Sequence, residues 1–347
     1  MRPICVIAAL AISTVLGMAQ QGPYKVLKTA KVGGDGGFDY VYADSNGRRL
    51  YIARSGAMGR MTVFNLDTLE PAGEIADVSA HGAAVSPKSG HGFGSSKPVA
   101  MWDSKTETLI RKIDVQGGPD GILYDSFNDR IWILSHSAPN ATVINASDGS
   151  IAGTVDLGGA PEQGQSDGKG HLYIDIEDKD NIAVVDAKTL TVTTHYDLAG
   201  KGGQCAGLAL DIKNSILFAA CRNPQNMVVL DARDGKILET LPIGRGTDGA
   251  AFNPSTMEAF SSQGDGTLTI VKENNPTSFA VEQNLDTMMG AKTLTLDTKT
   301  GHVLLIAAEY GPPPAAPATP PADGRGRGRG PRAPMLPGSF SIVVVGK

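Results

Sequence analysis

Charged and imidazole side chains recur at one position of a repeated sequence pattern. Each stands at the start of a short run rich in small and β-branched residues, such as FDYVYAD or TDGAAFN. The set consists of Asp39, His81, Asp120, Glu162, Asp248 and Lys292. Equivalent positions of a closed repeat surround its axis, so we expect these side chains to share one concave ligand site.

The four carboxylates of this set could do chemistry in two ways. Converging carboxylates bind a divalent cation such as Ca²⁺, or raise one another's pKa and act as acid and base. Asp39, Asp120, Glu162 and Asp248 are therefore candidate metal ligands. The alternative is local, because an Asp at a strand corner also accepts hydrogen bonds from neighbouring backbone amides.

A second set of charged residues follows the more apolar runs of the repeat. It contains Arg54, His136 and Arg222, with Glu177 and Glu309 at the same position. We expect this set on the same face as the first, farther from the axis. The sequence contains no HExxH, CxxCH or CxxC motif, so no familiar metalloprotease, haem or dithiol site is indicated.

The repeat itself is set by strand-like runs that end in Asp or Asn. TVFNLD, VAMWD, TVIN, AVVD and VVLD recur every 36 to 45 residues. This period matches a unit of four short strands, the blade of a β-propeller. Seven inner runs predict an all-β, seven-bladed β-propeller over residues 20–347.

The ends of the ring are predicted to join through an N-terminal strand. The last blade has only three strands before the chain ends, and YKVLKTAKV (24–32) belongs to no other blade. We expect this run to complete the last blade, because closure removes the exposed sheet edges that promote aggregation.

Residues 311–338 interrupt the last blade with a segment rich in Pro, Gly and Arg. Such a composition cannot build a packed core, so we expect a disordered inserted loop. Its arginines suggest a mobile lid or a tether for an anionic partner, and an inert spacer is the alternative. They are Arg325, Arg327, Arg329 and Arg332.

Residues 1–19 have the layout of a secretory signal peptide. Arg2 precedes an apolar run at residues 4–16, and small residues follow up to Ala19. The apolar run is too short to span a bilayer, which disfavours the alternative of an uncleaved anchor. We expect export to the periplasm or the cell exterior, with no transmembrane span after cleavage.

Export leaves Cys205 and Cys221 in the mature chain. They lie in the facing runs CAGLALD and SILFAAC, nearly opposite each other in one predicted hairpin. An oxidising compartment favours a cross-strand disulfide between them, and two buried thiols are the alternative. The net charge of −5 gives no reason to expect a nucleic acid partner, and we expect a monomer.

The strings VVLDARDG, ETLPIG and DGAAFNP resemble the repeat of the YVTN (YncE-like) family of seven-bladed propellers. The resemblance covers about residues 24–347 and implies the fold and, in many members, export. It is nearly silent on chemistry. Lactonases and quinoprotein dehydrogenases share the architecture, but Trp occurs only at Trp102 and Trp132, which disfavours a quinone stacked on Trp.

Two functions follow as expectations. The first is an exported, non-catalytic propeller that binds a small molecule, a glycan or a protein at its channel mouth. The alternative is a lactonase-like hydrolase that uses the mouth carboxylates and His81 or His136, with a divalent metal as its cofactor.

Overall fold

The structure is a computed structural model that describes residues 22–56, 59–138, 140–312 and 333–347. These residues form seven four-stranded antiparallel sheets and one short 3-10 turn, Glu177–Lys179. The seven-bladed, all-β propeller predicted from the repeat is confirmed. The described part has no helix long and apolar enough to cross a membrane.

Each blade begins with an inner strand that lines the central channel. These strands are rich in small residues because seven of them must converge on one axis. They are β2 (Gly37–Asp44), β6 (Ala83–Ser86), β10 (Pro119–Asp125), β14 (Pro161–Ser166), β18 (Cys205–Asp211), β22 (Thr247–Asn253) and β26 (Leu294–Asp297).

The second and third strands form the buried middle of each blade. The second strands are β3 (Arg49–Ser55), β7 (His91–Gly94), β11 (Arg130–Ser135), β15 (His171–Ile176), β19 (Ile216–Cys221), β23 (Glu258–Gln263) and β27 (His302–Ala307). The third strands are β4 (Arg60–Asn65), β8 (Val99–Asp103), β12 (Ala141–Asn145), β16 (Asn181–Asp186), β20 (Asn226–Asp231), β24 (Thr267–Asn275) and β28 (Ser341–Gly346).

The fourth strands are outermost and largely exposed. They are β5 (Pro71–Ala76), β9 (Leu109–Ile113), β13 (Ile151–Val155), β17 (Thr191–Asp197), β21 (Ile237–Pro242) and β25 (Ser278–Asp286). The seventh blade takes its outer strand from the N-terminal side. There β1 (Lys25–Lys31) pairs antiparallel with β28. This confirms the predicted closure of the ring.

The hydrophobic core is divided among the interfaces between neighbouring blades. Seven clusters of buried side chains each draw residues from two adjacent sheets. Between blades 1 and 2, for example, Trp102 packs against Tyr51 with 5.6 Å between ring centroids. Full burial of a large apolar side chain stabilises a fold by about 1.5–3 kcal/mol, so each interface contributes to the rigidity of the channel wall.

Cys205 and Cys221 are direct partners across β18 and β19, and the structure joins them by a disulfide.

The inserted segment of the last blade leaves and returns at one point, where the Gly311 amide donates to the Pro334 carbonyl oxygen at 2.9 Å. The predicted signal peptide and the four arginines of the insertion lie outside the described residues.

Candidate functional site

Bulges at the start of the inner strands place the carboxylates of the channel mouth. A β-bulge adds an unpaired residue to one strand and re-aims its side chains. Asp39, Asp120, Glu162 and Asp248 all lie inside such bulges. The bulges fall between Phe38 and Val41, Pro119 and Ile122, Pro161 and Gly164, and Thr247 and Gly249.

Glycines beside the bulges let neighbouring inner strands approach each other. A Cβ added to Gly121 would lie 2.7 Å from the carbonyl oxygen of Glu162, and one on Gly207 would lie 2.7 Å from the carbonyl carbon of Gly249. Any larger residue would force these strands apart. The close approach brings the mouth side chains of successive blades within hydrogen-bonding range.

One half of the mouth is an arc of alternating carboxylates and imidazoles. His81 Nδ1 lies 2.9 Å from Asp39 Oδ2 and 3.2 Å from Asp120 Oδ1. His136 Nε2 lies 3.3 Å from Asp120 Oδ2 and 3.6 Å from Glu162 Oε1. The hydrogen bond with Asp39 raises the pKa of His81. We call these five residues the histidine arc.

Glu162 is the most perturbed acid of the histidine arc. Burial, followed by a hydrogen bond with Glu177 and the charges of nearby carboxylates, raises its pKa to about 8. Tyr40, from the opposite side of the channel, donates its hydroxyl to Glu162 Oε2 at 3.2 Å. Burial also raises the pKa of the Tyr40 hydroxyl well above its usual value, so Tyr40 remains a hydrogen-bond donor at neutral pH.

The other half of the mouth contains the permanent cations. Arg222 pairs with Asp248 and, at 2.5 Å, with Glu177, and Lys292 pairs with Asp248 and approaches Asp39 at 3.9 Å. Burial alone would lower the pKa of Lys292, but the Asp248 carboxylate outweighs it and the net shift is upward. Arg222 and Lys292 therefore stay charged, and Lys292 links this half back to the histidine arc.

Together the two halves form a closed ring to which all seven blades contribute. The ring carries five carboxyl groups, two permanent cations and two imidazoles, so the carboxyl groups outnumber the permanent cations. Its members are Asp39, His81, Asp120, His136, Glu162, Glu177, Arg222, Asp248 and Lys292.

Two overlapping groups in the histidine arc have donor atoms spaced for a metal ion. Asp39, His81 and Asp120 form one, and Asp120, His136 and Glu162 form the other, with the donor atoms of each group within 4.8 Å of one another. The four carboxylates suggested by the sequence as a metal set are arranged differently. Asp248 is neutralised by Arg222 and Lys292, while the other three face imidazoles.

Beneath the mouth lies a cavity of about 280 Å³ along the axis. Glutamine side chains from blade 4 cross it. Gln163 accepts from the amides of Leu208 and Ala250 at 2.9 and 3.0 Å, and Gln165 donates to the Leu208 carbonyl at 2.7 Å. These bridges tie blade 4 to blades 5 and 6, so the site has a rigid floor.

Two residues assigned to the mouth by sequence position have partners outside the ring of charged side chains. Arg54 is buried, with its guanidinium 4.0 Å from the centre of the Phe340 ring and its Nη2 donating to the carbonyls of Gly34 and Gly36. Glu309 pairs with Lys31 at 2.9 Å, away from the ring. The remaining sequence candidates, His81, His136, Arg222 and Lys292 among them, are brought together with the bulge carboxylates.

Sequence reasoning did not identify Tyr40 or Asp175 as site residues. In the sequence Tyr40 is one residue of an inner-strand run, and only its neighbour Asp39 stands at the charged position of the repeat. Asp175 lies on β15 opposite the bulge that holds Glu162. It is fully buried, and neither carboxyl oxygen has a hydrogen-bond partner among the described residues. An Asp inside the apolar run HLYIDI was the available signal.

The fold and its mouth define the class of the protein as a seven-bladed β-propeller with a charged channel mouth. Comparison with known proteins supports the fold alone. A chain from the "Crystal Structure of Mitotic Checkpoint Complex" matches with a TM-score of 0.66 and 11% identity, over 88% of this chain and 94% of that one. No family model matches the sequence, and no curated protein matches it either.

Proposed function

We propose that the protein is an exported, YVTN-type β-propeller that binds a small, oxygen-rich molecule at its channel mouth. The observation that carries this proposal is the closed ring of charged side chains above a floored channel, built by all seven blades. Charged groups that converge on a concavity are the usual place for a polar ligand. The repeat strings and the layout of residues 1–19 support the family and the export.

The exposure of the ring indicates the chemistry of the ligand. The side chains of His81, His136 and Lys292 are 44–48% exposed, whereas the carboxylates beneath them, Asp120 and Glu162 among them, are mostly covered. A molecule that enters the mouth therefore meets nitrogen donors first. Hydroxyl, carboxylate and lactone oxygens are the acceptors that complement such donors.

Calorimetric titration with a fixed panel tests this proposal. We expect at least one of gluconate, galacturonate, citrate and glucose to bind, and Lys292→Gln to weaken that binding by about tenfold, because a charge-assisted hydrogen bond contributes about 1.4 kcal/mol or more. Lys31→Gln, which removes an exposed lysine remote from the mouth, is the matched control. If no compound of the panel binds, the proposal is refuted.

N-terminal sequencing of the exported protein, expected to start at Gln20, tests the export.

A second candidate function is hydrolysis of a lactone or ester. The observation that favours it is the pairing of His81 with Asp39 and of His136 with Asp120, since a carboxylate that orients an imidazole is typical of general acid–base catalysis. Titration of the acid released from a panel of lactones would detect turnover. We expect His136→Gln to abolish any turnover that the wild-type chain shows, and equal rates in the two chains would exclude this role.

A further inference from the structure

We propose that the histidine arc binds two divalent transition-metal ions bridged by the carboxylate of Asp120. Asp39 and His81 would complete one ion's protein ligands, and His136 and Glu162 the other's. This inference deepens the proposed function, on whose mouth site it rests, by naming the inorganic cofactor of that site.

The spacing of the donor atoms fits metal coordination. Metal–donor bonds of about 2.1 Å, at tetrahedral to octahedral angles, place neighbouring donor atoms about 3.0–3.4 Å apart. Around His81 the nitrogen–oxygen separations are 2.9 and 3.2 Å, and around His136 they are 3.3 and 3.6 Å. Small side-chain adjustments would therefore suffice to accommodate an ion in either group.

Asp120 is arranged as a bridging ligand. Its Oδ1 faces His81 and its Oδ2 faces His136, so each oxygen belongs to a different donor group. Shared carboxylates of this kind hold paired ions about 3.5–4 Å apart in two-metal sites. A single ion could use only one of these oxygens together with its own imidazole, and would leave the other group unfilled.

The charge around the arc is short of cations. Asp120 and Glu162 pair with imidazoles among the described residues. Asp39 pairs with His81 and approaches Lys292 at 3.9 Å, but Lys292 lies closer to Asp248. Behind Glu162, the buried Asp175 has two unpartnered oxygens in the described structure. A buried carboxyl is ordinarily hydrogen-bonded or close to a cation. Burial raises the pKa of Asp175 well above its usual value, so this carboxyl adds no charge of its own behind Glu162, and the donor atoms of the arc carry the metal site.

The ligand types select the kind of metal. Imidazole nitrogen with carboxylate oxygen suits Zn²⁺, Co²⁺ or Mn²⁺, whereas Ca²⁺ takes six to eight oxygen ligands. The competing state is the ring without metal, in which the imidazoles of His81 and His136 pair directly with the carboxylates. Metal binding must replace those pairs, so direct metal titration separates the two states.

The experiment titrates the mature chain, from Gln20 to Lys347, after chelator treatment and without any organic ligand. The probes are Zn²⁺ and Co²⁺, with Ca²⁺ for comparison. We expect two Zn²⁺ or Co²⁺ ions per chain by calorimetry, visible Co²⁺ absorption bands, and much weaker binding of Ca²⁺. One ion, no ion, or equal affinity for Ca²⁺ would overturn the proposal, and this result requires no variant to fold.

Variants assign the ligands. Asp120→Asn should weaken both ions by about 100-fold or more, since loss of even an outer-shell partner costs roughly 10–100-fold. His136→Ala should retain one ion. His171→Ala is the matched control, because His171 pairs with Asp167 at 3.0 Å in an ordinary imidazole–carboxylate pair, and it should retain two. Unchanged binding in Asp120→Asn would refute the bridge.

The outcome is independent of the ligand panel. If the chain binds two metal ions but no compound of the ligand panel, the metal site is supported and the proposed ligand-binding function is refuted. Binding of gluconate, galacturonate or citrate to the metal-free chain, with no uptake of Zn²⁺ or Co²⁺, would do the reverse.

Discussion

Asp248 is the residue that holds the cationic half of the mouth in place. It is 5% exposed and contacts both Arg222 and Lys292. Without the Asp248 carboxylate, Arg222 and Lys292 would lose a shared hydrogen-bond acceptor, and their positive charges would repel each other. The same carboxylate therefore keeps Lys292 positioned for a ligand and limits repulsion between the cations.

We expect Asp248→Asn to destabilise the fold by about 2 kcal/mol. Loss of one partner from a fully buried ion pair costs about 3–5 kcal/mol, and solvent screening of the half-exposed Lys292 reduces this figure. Urea unfolding measures it. Glu309→Gln is the control, because it removes an exposed pair and should cost less than about 1 kcal/mol. Equal effects of the two substitutions would contradict the role given to Asp248.

Sequence position identified the mouth residues better than it identified their partners. The repeat placed Asp39, His81 and Asp120 at equivalent corners, but their contacts join different blades and depend on how closely the inner strands approach. Arg54 shows the limit. Arg54 and Arg222 stand at similar positions near the end of a second strand. However, the guanidinium of Arg54 is covered by the backbone of Gly34 and Gly36 and by the aromatic ring of Phe340. Such tertiary contacts leave no local pattern in the sequence.

At the scale of elements, an ion-pair bridge joins the first and last blades on the side away from the mouth. Arg48, in the turn between β2 and β3, donates to both carboxyl oxygens of Asp297 at 2.8 Å and also pairs with Asp67. Asp297 ends β26 and is buried. A bidentate guanidinium–carboxylate pair is strong because both hydrogen bonds are charge-assisted.

This ion-pair bridge should make the contact between the first and last blades weaker at low pH. Burial of Asp297 would raise its pKa, but hydrogen bonds led by Arg48 outweigh it and hold the pKa at about 2, below the ordinary 3.8. A depressed pKa adds stability above pH 3.8 that is lost as the pH falls through 2. The contribution is about 2 kcal/mol, at about 1.4 kcal/mol for each pKa unit.

Urea unfolding of the wild-type chain and Asp297→Asn, at intervals from pH 2 to pH 6, measures this contribution. The gap in unfolding free energy should be nearly constant above pH 5 and should shrink by about 2 kcal/mol toward pH 2. The subtraction removes the effects of other acids. A gap that does not change with pH would show that Asp297 does not titrate as the bridge requires.

The elements themselves were the most predictable part of the protein. The inner runs TDGAAFN and CAGLALD form β22 and β18 over their full length, because alternation and turn residues act locally. The bulges were not anticipated, since a bulge depends on the register of two paired strands. The carboxylates lie in those bulges, so the fold was predictable while the geometry of the site was not.

At the scale of the whole molecule, stability depends on closure of the circle of seven blades. The seven core clusters lie between neighbouring blades, and in the one between blades 7 and 1 the tilted rings of Phe38 and Phe340 pack with 4.8 Å between their centroids. The strand β1 covers the outer edge of β28 from Lys25 to Lys31. Just before it, Tyr24 is buried and its amide donates to Gln283 of blade 6 at 3.0 Å. One short segment thus links the last blade to its neighbour and covers its edge.

Deletion of this segment should lower the stability of the fold and expose the outer edge of β28. A chain that starts at residue 33 loses the ladder between β1 and β28, and the exposed edge of β28 can then pair with another molecule. We expect a lower melting temperature and concentration-dependent oligomers in light scattering. The reference is the chain that starts at Gln20, and Lys25→Gln with Lys28→Gln is the control, because it changes two charges of β1 while preserving its backbone pairing. A truncated chain that stays monomeric with an unchanged melting temperature would mean that the blade interfaces alone close the ring.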